Sequence, residues 1–267
     1  MFFSCNELNH FKEYDNFVKC NTKYLKPLHI VMASAYHNYL NKKVIFEYKE
    51  AEDYALNMWY DNPVEIDSIG GKYHTKAIKL NKEHIENDSQ AYKIIDILKK
   101  NNYLNEETIE TFAIILAEIF QNFYAHANVK QPPICCVQDW KSNDFMEIAV
   151  IDTGIGIGKS LEGIISKDKN PCKEACKSGI TSKKGKNHSG YGLFFTKRFF
   201  EENKGKFYLI SDKFCYIIDN DSEEERELDV KWNGTIIRMV LNKKSIINAE
   251  EFFKMITKEQ GDEEEYF

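Results

Sequence analysis

An acid and an amide stand four residues apart in the stretch Glu118-x-x-x-Asn122. Four residues make about one helical turn, so on a helix both side chains lie on one face. The Asn122 amide oxygen suits Mg²⁺, and Glu118 could accept a proton from a water or hydroxyl that attacks a metal-bound phosphate. We predict Glu118 as a catalytic residue and Asn122 as a nucleotide and Mg²⁺ ligand. The alternative is a polar pair on a solvated helix face.

A carboxylate and two glycines follow the apolar run 145–151, in the six residues from Asp152 to Ile157. A carboxylate at the end of a strand could accept a hydrogen bond from an exocyclic amine such as that of adenine. Gly154 and Gly156 would let the backbone and a base approach closely. We predict Asp152, Gly154, Gly156 and Ile157 as ligand-binding residues, and the alternative is an ordinary Asp-Thr-Gly turn.

A second glycine pair, in Gly190-Tyr191-Gly192-Leu193, precedes a stretch with helical periodicity. Free N–H groups at a helix start attract phosphate, so we predict these four residues as phosphate-binding. Three lysines just before them could reach phosphate oxygens or could form a basic surface loop: Lys183, Lys184 and Lys186.

Thr235 follows a glycine at the start of the last predicted strand, where it could donate its hydroxyl near a base or belong to a plain hairpin turn.

Two better-known phosphate patterns do not fit. Gly158-Lys159-Ser160 lacks the glycine that a P-loop requires five residues earlier, where Thr153 stands. The dinucleotide pattern fails because Phe195 occupies its last glycine position.

The elements that must hold these residues are an α/β combination. The strongest helix is predicted over Thr108–Asn128, where apolar residues recur every three or four positions. A strand is predicted over Glu147–Ile151 and a helix over Gly192–Glu202. Closing strands are predicted at 206–211, 214–218 and 235–241. The acidic insert Asp221–Asp229 is predicted as a solvated hairpin loop, and 158–189 as a mobile segment.

The first part of the chain alternates strands and helices, which predicts a small sheet with helices packed on it. The strands are expected at Asn16–Cys20 and Lys43–Tyr48. The helices are expected from Pro27 to Leu40, with proline in the first turn, and at Glu50–Trp59. Residues 61–87 are predicted as a linker plus an edge strand. Asp88 is a candidate N-cap for a helix over Ser89–Lys100, and the acidic tail beyond Glu259 is expected to fray.

Composition narrows the class of protein. The chain has 267 residues, a net charge of −6 and 43% hydrophobic residues. It is therefore expected to be globular, and non-specific nucleic-acid binding is not expected of so acidic a chain. We find no apolar run of the roughly 20 residues that a membrane helix needs, and no signal peptide, so we expect a cytoplasmic protein without a membrane partner. Seven scattered cysteines suggest reduced thiols, with Cys172 and Cys176 read as ordinary thiols.

The order of the motifs resembles the GHKL ATPase superfamily, which includes gyrases, histidine kinases and MutL proteins. The resemblance covers roughly residues 88–244, and its four boxes match Glu118-x3-Asn122, Asp152-x-Gly154-x-Gly156, Gly190-x-Gly192-Leu193 and Gly234-Thr235. It implies a Bergerat fold, an α/β sandwich with a mixed sheet and a helical layer that enclose ATP under a lid. Residues 179–183 look like that lid, which adds Thr181, Ser182 and Lys183 to the predicted nucleotide-binding residues.

The match is closest to bacterial proteins with a STAS-like N-terminal region. The implied division is a STAS-like α/β region with linker at 1–87, the ATP-binding domain at 88–245, and a C-terminal helix with an acidic tail at 246–267. The resemblance implies ATP and Mg²⁺ as ligands and a protein partner or a homodimer.

Three activities fit the resemblance. They are Mg-dependent ATP hydrolysis that drives a regulatory switch, anti-sigma-type serine phosphorylation of a partner, and nucleotide binding without turnover. A glutamate that begins the first box, as Glu118 does, resembles the switch ATPases and the anti-sigma serine kinases. No phosphoacceptor His-Glu element precedes the domain, which argues against a histidine kinase. His126 stands too close to Asn122 to be a mobile acceptor. The remaining alternative is an interaction scaffold whose glycine loops are only turns.

Overall fold

The computed structural model describes residues 5–64, 74–82, 89–100, 104–140, 144–183, 190–220 and 222–260. It is a mixed α+β protein with two β-sheets. The predicted Asp88 cap, the lysines at 184 and 186 and the end of the acidic tail lie outside the described residues. Within the described ranges, no helix combines the length and apolar composition needed to cross a bilayer.

The first part of the chain forms a small sheet, as its alternating pattern predicts, and the sheet has a third strand that the sequence did not indicate. A 3₁₀ turn at Cys5–His10 leads into strands β1 (Phe11–Glu13), β2 (Phe17–Cys20) and β3 (Lys43–Phe46), in the order β1-β2-β3. Strand β2 is antiparallel to β1 and parallel to β3.

Two helices accompany this small sheet. Helix α1 (Pro27–Asn38) forms the crossover between β2 and β3, and its proline lies in the first turn, where a missing N–H costs no helical hydrogen bond. Helix α2 (Lys49–Asn57) follows β3. The predicted order of strands and helices is therefore confirmed.

The second sheet has five described strands in the order β4-β5-β6-β8-β7. They are β4 (Ile78–Lys79), β5 (Ile134–Asp139), β6 (Phe145–Ile151), β7 (Lys206–Asp219) and β8 (Ser222–Asn242). Each neighbouring pair of these strands is antiparallel. The expected mixed pairing is therefore not seen among these five strands, and the short connections of β5–β6 and β7–β8 favour antiparallel pairing. Among the described residues, a single parallel bridge adds Val64 beside Ile78.

The acidic segment corrects a second expectation. The described part of the predicted loop Asp221–Asp229 belongs to the first half of strand β8, and its residues 222–227 pair with Phe214–Asp219 of β7. Cross-element ion pairs hold its exposed acids, among them Lys173 with Glu225 at 2.7 Å and Lys197 with Glu223 at 2.5 Å. The two strands predicted at 206–211 and 214–218 are one strand with a bulge at Asp212, whose φ is 54°.

Helices cover both faces of the five-stranded sheet. One face carries α3 (Ser89–Lys100), α4 (Glu106–His126), α7 (Gly192–Asn203) and α8 (Ala249–Gln260), with the shorter helices α5 (Ile157–Ser160) and α6 (Pro171–Ala175) beside them. Helix α1 packs on the opposite face. Alternate β6 residues divide between the two cores: Ile148 and Val150 face α4, whereas Ala149 and Ile151 face α1.

A buried ion cluster joins the first part of the chain to this sheet. Arg238 of β8 is 1% exposed, and its guanidinium lies 2.8 Å from a Glu7 carboxylate oxygen and 2.9 Å from one of Glu147. Glu147 also accepts a hydrogen bond from the Leu28 N–H of α1 at 3.3 Å. A buried charge is tolerated only when it is paired in this way, so the cluster ties α1 to the sheet in one register.

Candidate functional site

Helix α4 carries the predicted acid–amide pair along one edge of its apolar face. The helix begins at an Asn105 cap, whose side chain accepts the Thr108 N–H at 3.0 Å. Its predicted apolar stripe is buried against the sheet, as the periodicity requires: Phe112, Ile115, Leu116, Ile119, Phe120 and Phe123. Glu118 and Asn122 are only half-buried, and both line the same pocket.

The pocket lies between α4 and the sheet. Its walls come from the start of α7, the turn into α5 and residues 180–182, and its floor contains Leu209 of β7 and Ile237 of β8. Its empty volume, counted together with the solvent at its mouth, is about 950 Å³. Ten of the predicted site residues line it: Glu118, Asn122, Gly156, Ile157, Thr181, Ser182, Gly190, Gly192, Leu193 and Thr235.

Asp152 lies beneath this lining and is 1% exposed. One carboxylate oxygen accepts the Gly154 N–H at 2.5 Å, and the other accepts the Thr235 N–H at 3.0 Å. Burial raises the pKa of Asp152 to about 7, although these N–H donors act in the opposite direction. The Thr235 hydroxyl also donates to this carboxylate. A carboxylate has about four acceptor positions, so it joins the two glycine-containing turns while retaining capacity for one more donor.

The glycines of the first turn are needed for space and for backbone conformation. A Cβ on Gly154 would lie 2.8 Å from Asp152 Oδ1 and 2.9 Å from the Ala127 carbonyl carbon, and closer still to the Ala127 oxygen. That oxygen accepts the Ile155 N–H at 2.8 Å, which ties the turn to the end of α4. Gly156 has a φ of +76°, which residues with a side chain rarely adopt.

Gly192, the first residue of α7, lies directly against the acid–amide pair. A Cβ there would be 2.8 Å from Glu118 Oε2 and 3.2 Å from Asn122 Nδ2. The absence of a side chain therefore lets the N-terminus of α7 approach Glu118 and Asn122. This approach brings helix N–H groups, which attract anions, to the same wall as a carboxylate and an amide oxygen.

Besides Asp152, three other predicted residues do not line the pocket: Gly154, Lys183 and Tyr191. Gly154 lies close to the backbone of Ala127, which does line the pocket. The Lys183 N–H bonds to the Thr181 hydroxyl at 3.2 Å, and the Tyr191 ring stacks on Phe195 with centroids 5.8 Å apart. In this arrangement the pocket wall contains the neighbours of Lys183 and Tyr191 rather than their own side chains.

Sequence reasoning did not predict that His126 and Ser160 would lie on the pocket wall. His126 lies one helical turn beyond Asn122, and its Nδ1 is 2.8 Å from the Ser182 hydroxyl. The Ser160 hydroxyl is 3.2 Å from that of Ser182. The spacing of four residues from Asn122 could have identified His126 as a wall residue, but nothing local to Ser160 indicates its position.

The side chains on the pocket wall fit a metal ion that takes most of its ligand atoms from a bound molecule and from water, and few from the protein. Among the described residues there is no group of three His, Cys, Asp or Glu side chains that could enclose an ion. Mg²⁺ at nucleotide sites needs only one or two protein oxygens and takes the rest from phosphates and water. The Asn122 amide oxygen on the pocket wall satisfies that lesser requirement.

No protein-family model matches the chain, and a search of curated proteins finds no match.

Proposed function

We propose that this chain binds Mg-ATP in the pocket beneath α4 and hydrolyses it to drive a regulatory switch. The observation that carries the proposal is the convergence of stretches that are far apart in sequence. Glu118 and Asn122, the Gly156 turn, Gly192 and Thr235 all line one pocket. The GHKL resemblance assigns the same four stretches to one nucleotide.

The proposed orientation puts the base over Thr235 and the phosphates toward α7. The Asp152 carboxylate below Thr235 has acceptor capacity for an exocyclic amine. Phosphate oxygens at the other end would meet the N-terminus of α7, where Gly192 leaves room for close approach. Asn122 would complete the magnesium shell from the α4 side.

Glu118 is the proposed general base. It lies within one helical turn of Asn122 and against the Gly192 backbone, so it is positioned beside the proposed phosphate end. Deprotonation of an attacking water contributes typically 10²–10⁴-fold to such reactions. When bound, the metal would supply charge neutralisation of the phosphates.

At the level of fold family, we propose a Bergerat-type arrangement. The support is a helical layer with α4 and α7 on one sheet face and a pocket between that layer and the sheet. The β-α-β-α order of the first part of the chain supports a STAS-like region in front of it. Both proposals are drawn from the order and packing of the helices and strands.

The direct test is isothermal titration with ATP, with and without magnesium, combined with measurement of phosphate release. Asn122→Ala should remove the magnesium dependence of binding, and Glu118→Gln should abolish release while ATP stays bound. Glu110→Gln is a matched control, because Glu110 is an exposed acid two turns earlier on α4.

Normal magnesium-dependent binding by Asn122→Ala would contradict the assignment of that residue. Binding without phosphate release by the wild-type chain would contradict hydrolysis. Labelling of a partner serine in that case would identify the kinase alternative.

A further inference from the structure

A serine and a histidine form a hydrogen-bonded pair inside the proposed nucleotide pocket. Ser182 Oγ lies 2.8 Å from His126 Nδ1, and both residues line the pocket together with Glu118 and Asn122. A hydroxyl within hydrogen-bond reach of an imidazole is the usual arrangement of an activated nucleophile. Hydrolysis by Glu118 uses neither group, so the pair has no role in the proposed ATPase step.

We infer that Ser182 is an autophosphorylation site that accepts the γ-phosphoryl group of ATP bound in the same chain. The inference rests on the proposed function, because ATP is the phosphoryl donor. Asn122 and His126 are one turn apart on α4, so a phosphate held on the Asn122 side of the pocket lies on the same helix face as the base of the pair.

The step balances with ATP as the only co-reactant. Ser182 Oγ forms a bond to the γ-phosphorus, the bond between that phosphorus and the β–γ bridging oxygen breaks, and ADP leaves. In the tautomer with its proton on Nε2, His126 accepts the hydroxyl proton at Nδ1 and then releases it to solvent. No oxidant or further group is consumed.

Neighbouring hydroxyls are less suited to this role. Thr181 is 5% exposed, and its hydroxyl is engaged by the Lys183 N–H at 3.2 Å. The Ser160 hydroxyl lies 3.2 Å from the Ser182 hydroxyl, whereas it is Ser182 that contacts the His126 imidazole. Ser178 is exposed and lies outside the pocket lining.

The experiment incubates the full-length chain with magnesium and ATP labelled at the γ-phosphate, followed by intact mass and phosphopeptide mapping. We expect one phosphoryl group per chain, on the peptide that contains Ser182, with a rate per chain that is independent of protein concentration. Ser182→Ala should lose the label, and the matched control Ser178→Ala should keep it. His126→Gln should slow labelling by about 10²-fold or more, as for the loss of a general base.

ATP binding is measured on the same samples by the magnesium-dependent rise in melting temperature. A rise without phosphate on Ser182 would overturn the autophosphorylation site and leave the proposed function intact. Label mapped to Ser160 instead would also overturn it. Absence of both the rise and the label would overturn the proposed function and the inference with it. The mapping on wild-type protein does not depend on the folding of any variant.

Discussion

The turn after β6 offers a sharp test of how the pocket is assembled, through the variant Gly154→Ala. The added methyl group would lie 2.8 Å from Asp152 Oδ1 and 2.9 Å from the Ala127 carbonyl carbon. Carbon–oxygen contacts between unbonded groups are normally about 3.3 Å or longer. The obstructing Ala127 atoms are backbone, so they cannot rotate away, and either the turn or the end of α4 must shift.

The expected cost has two parts. The shift breaks or weakens the hydrogen bond from the Ile155 N–H to the Ala127 oxygen, which is 2.8 Å long and worth about 1 kcal/mol. Overpacking adds about 1–3 kcal/mol, and the reduced freedom of the unfolded chain returns about 0.4–1 kcal/mol. We therefore expect Gly154→Ala to lower the free energy of unfolding by about 1–4 kcal/mol.

The control is Gly158→Ala, four residues further along in α5. Its added Cβ would lie 3.6 Å from the nearest atom of Pro171, which is ordinary contact. Alanine also favours the helix, so we expect stability to be unchanged or raised by up to about 1 kcal/mol. Urea denaturation followed by circular dichroism measures both variants, and Gly154→Ala should lower the midpoint without changing the slope. Indistinguishable midpoints for the two variants would refute the close approach of this turn to Ala127.

Three further predictions follow from buried or crowded groups. Because the pKa of Asp152 is raised to about 7, against about 3.9 unfolded, the unfolded chain loses this proton first as pH rises. Its contribution to the free energy of unfolding should fall by on the order of 1 kcal/mol per pH unit between about pH 4 and 7. When the free energy of unfolding is measured with urea at several pH values, Asp152→Asn should lack this part of its pH dependence. Gly192→Ala pushes the Glu118 carboxylate aside and should reduce phosphate release about tenfold or more at near-normal stability. Arg238→Met leaves the buried Glu147 carboxylate without its counter-charge, whereas Glu7 keeps its ion pair with Lys26, and it should cost about 3–5 kcal/mol in urea unfolding.

Each of these predictions has a contrary outcome. Equal pH slopes for wild type and Asp152→Asn would show that this carboxyl does not titrate differently on folding. Wild-type phosphate release by Gly192→Ala would separate Glu118 from the chemistry. The matched control for Arg238 is Arg226→Met, because the Arg226 ion pair with Glu224 is partly exposed and should be worth less than about 1 kcal/mol. Equal costs for the two arginine variants would contradict the role of the buried cluster.

The elements that the sequence predicts well carry a local signal, either an apolar stripe on one helix face or a residue that marks a helix end. The α4 stripe from Phe112 to Phe123 alternates with polar residues at helical spacing and is buried in the structure. Pro27 marks the start of α1. In both cases local chemistry and tertiary packing favour the same conformation, so a short window of sequence suffices.

The elements that were missed or misread depend on distant partners. Strand β5 (Ile134–Asp139) has no apolar–polar alternation because helices cover both faces of its sheet. The acids after Ser222 resemble a solvated loop in isolation. They form a strand because β7 offers a pairing edge and lysines such as Lys173 offer counter-charges. Neither the covered faces nor the pairing edge is visible in the local sequence.

The sequence alone determined which residue types were available for phosphate, metal and base binding, and it determined the helix face that Glu118 and Asn122 share. Only the tertiary structure decided that Gly192 abuts this pair, that Asp152 lies beneath Thr235, and that Ser182 reaches His126. The physical reason is range. Helical spacing follows from the local geometry of one segment, whereas contacts across dozens of residues follow from the packing of α4 and α7 on one face of the sheet.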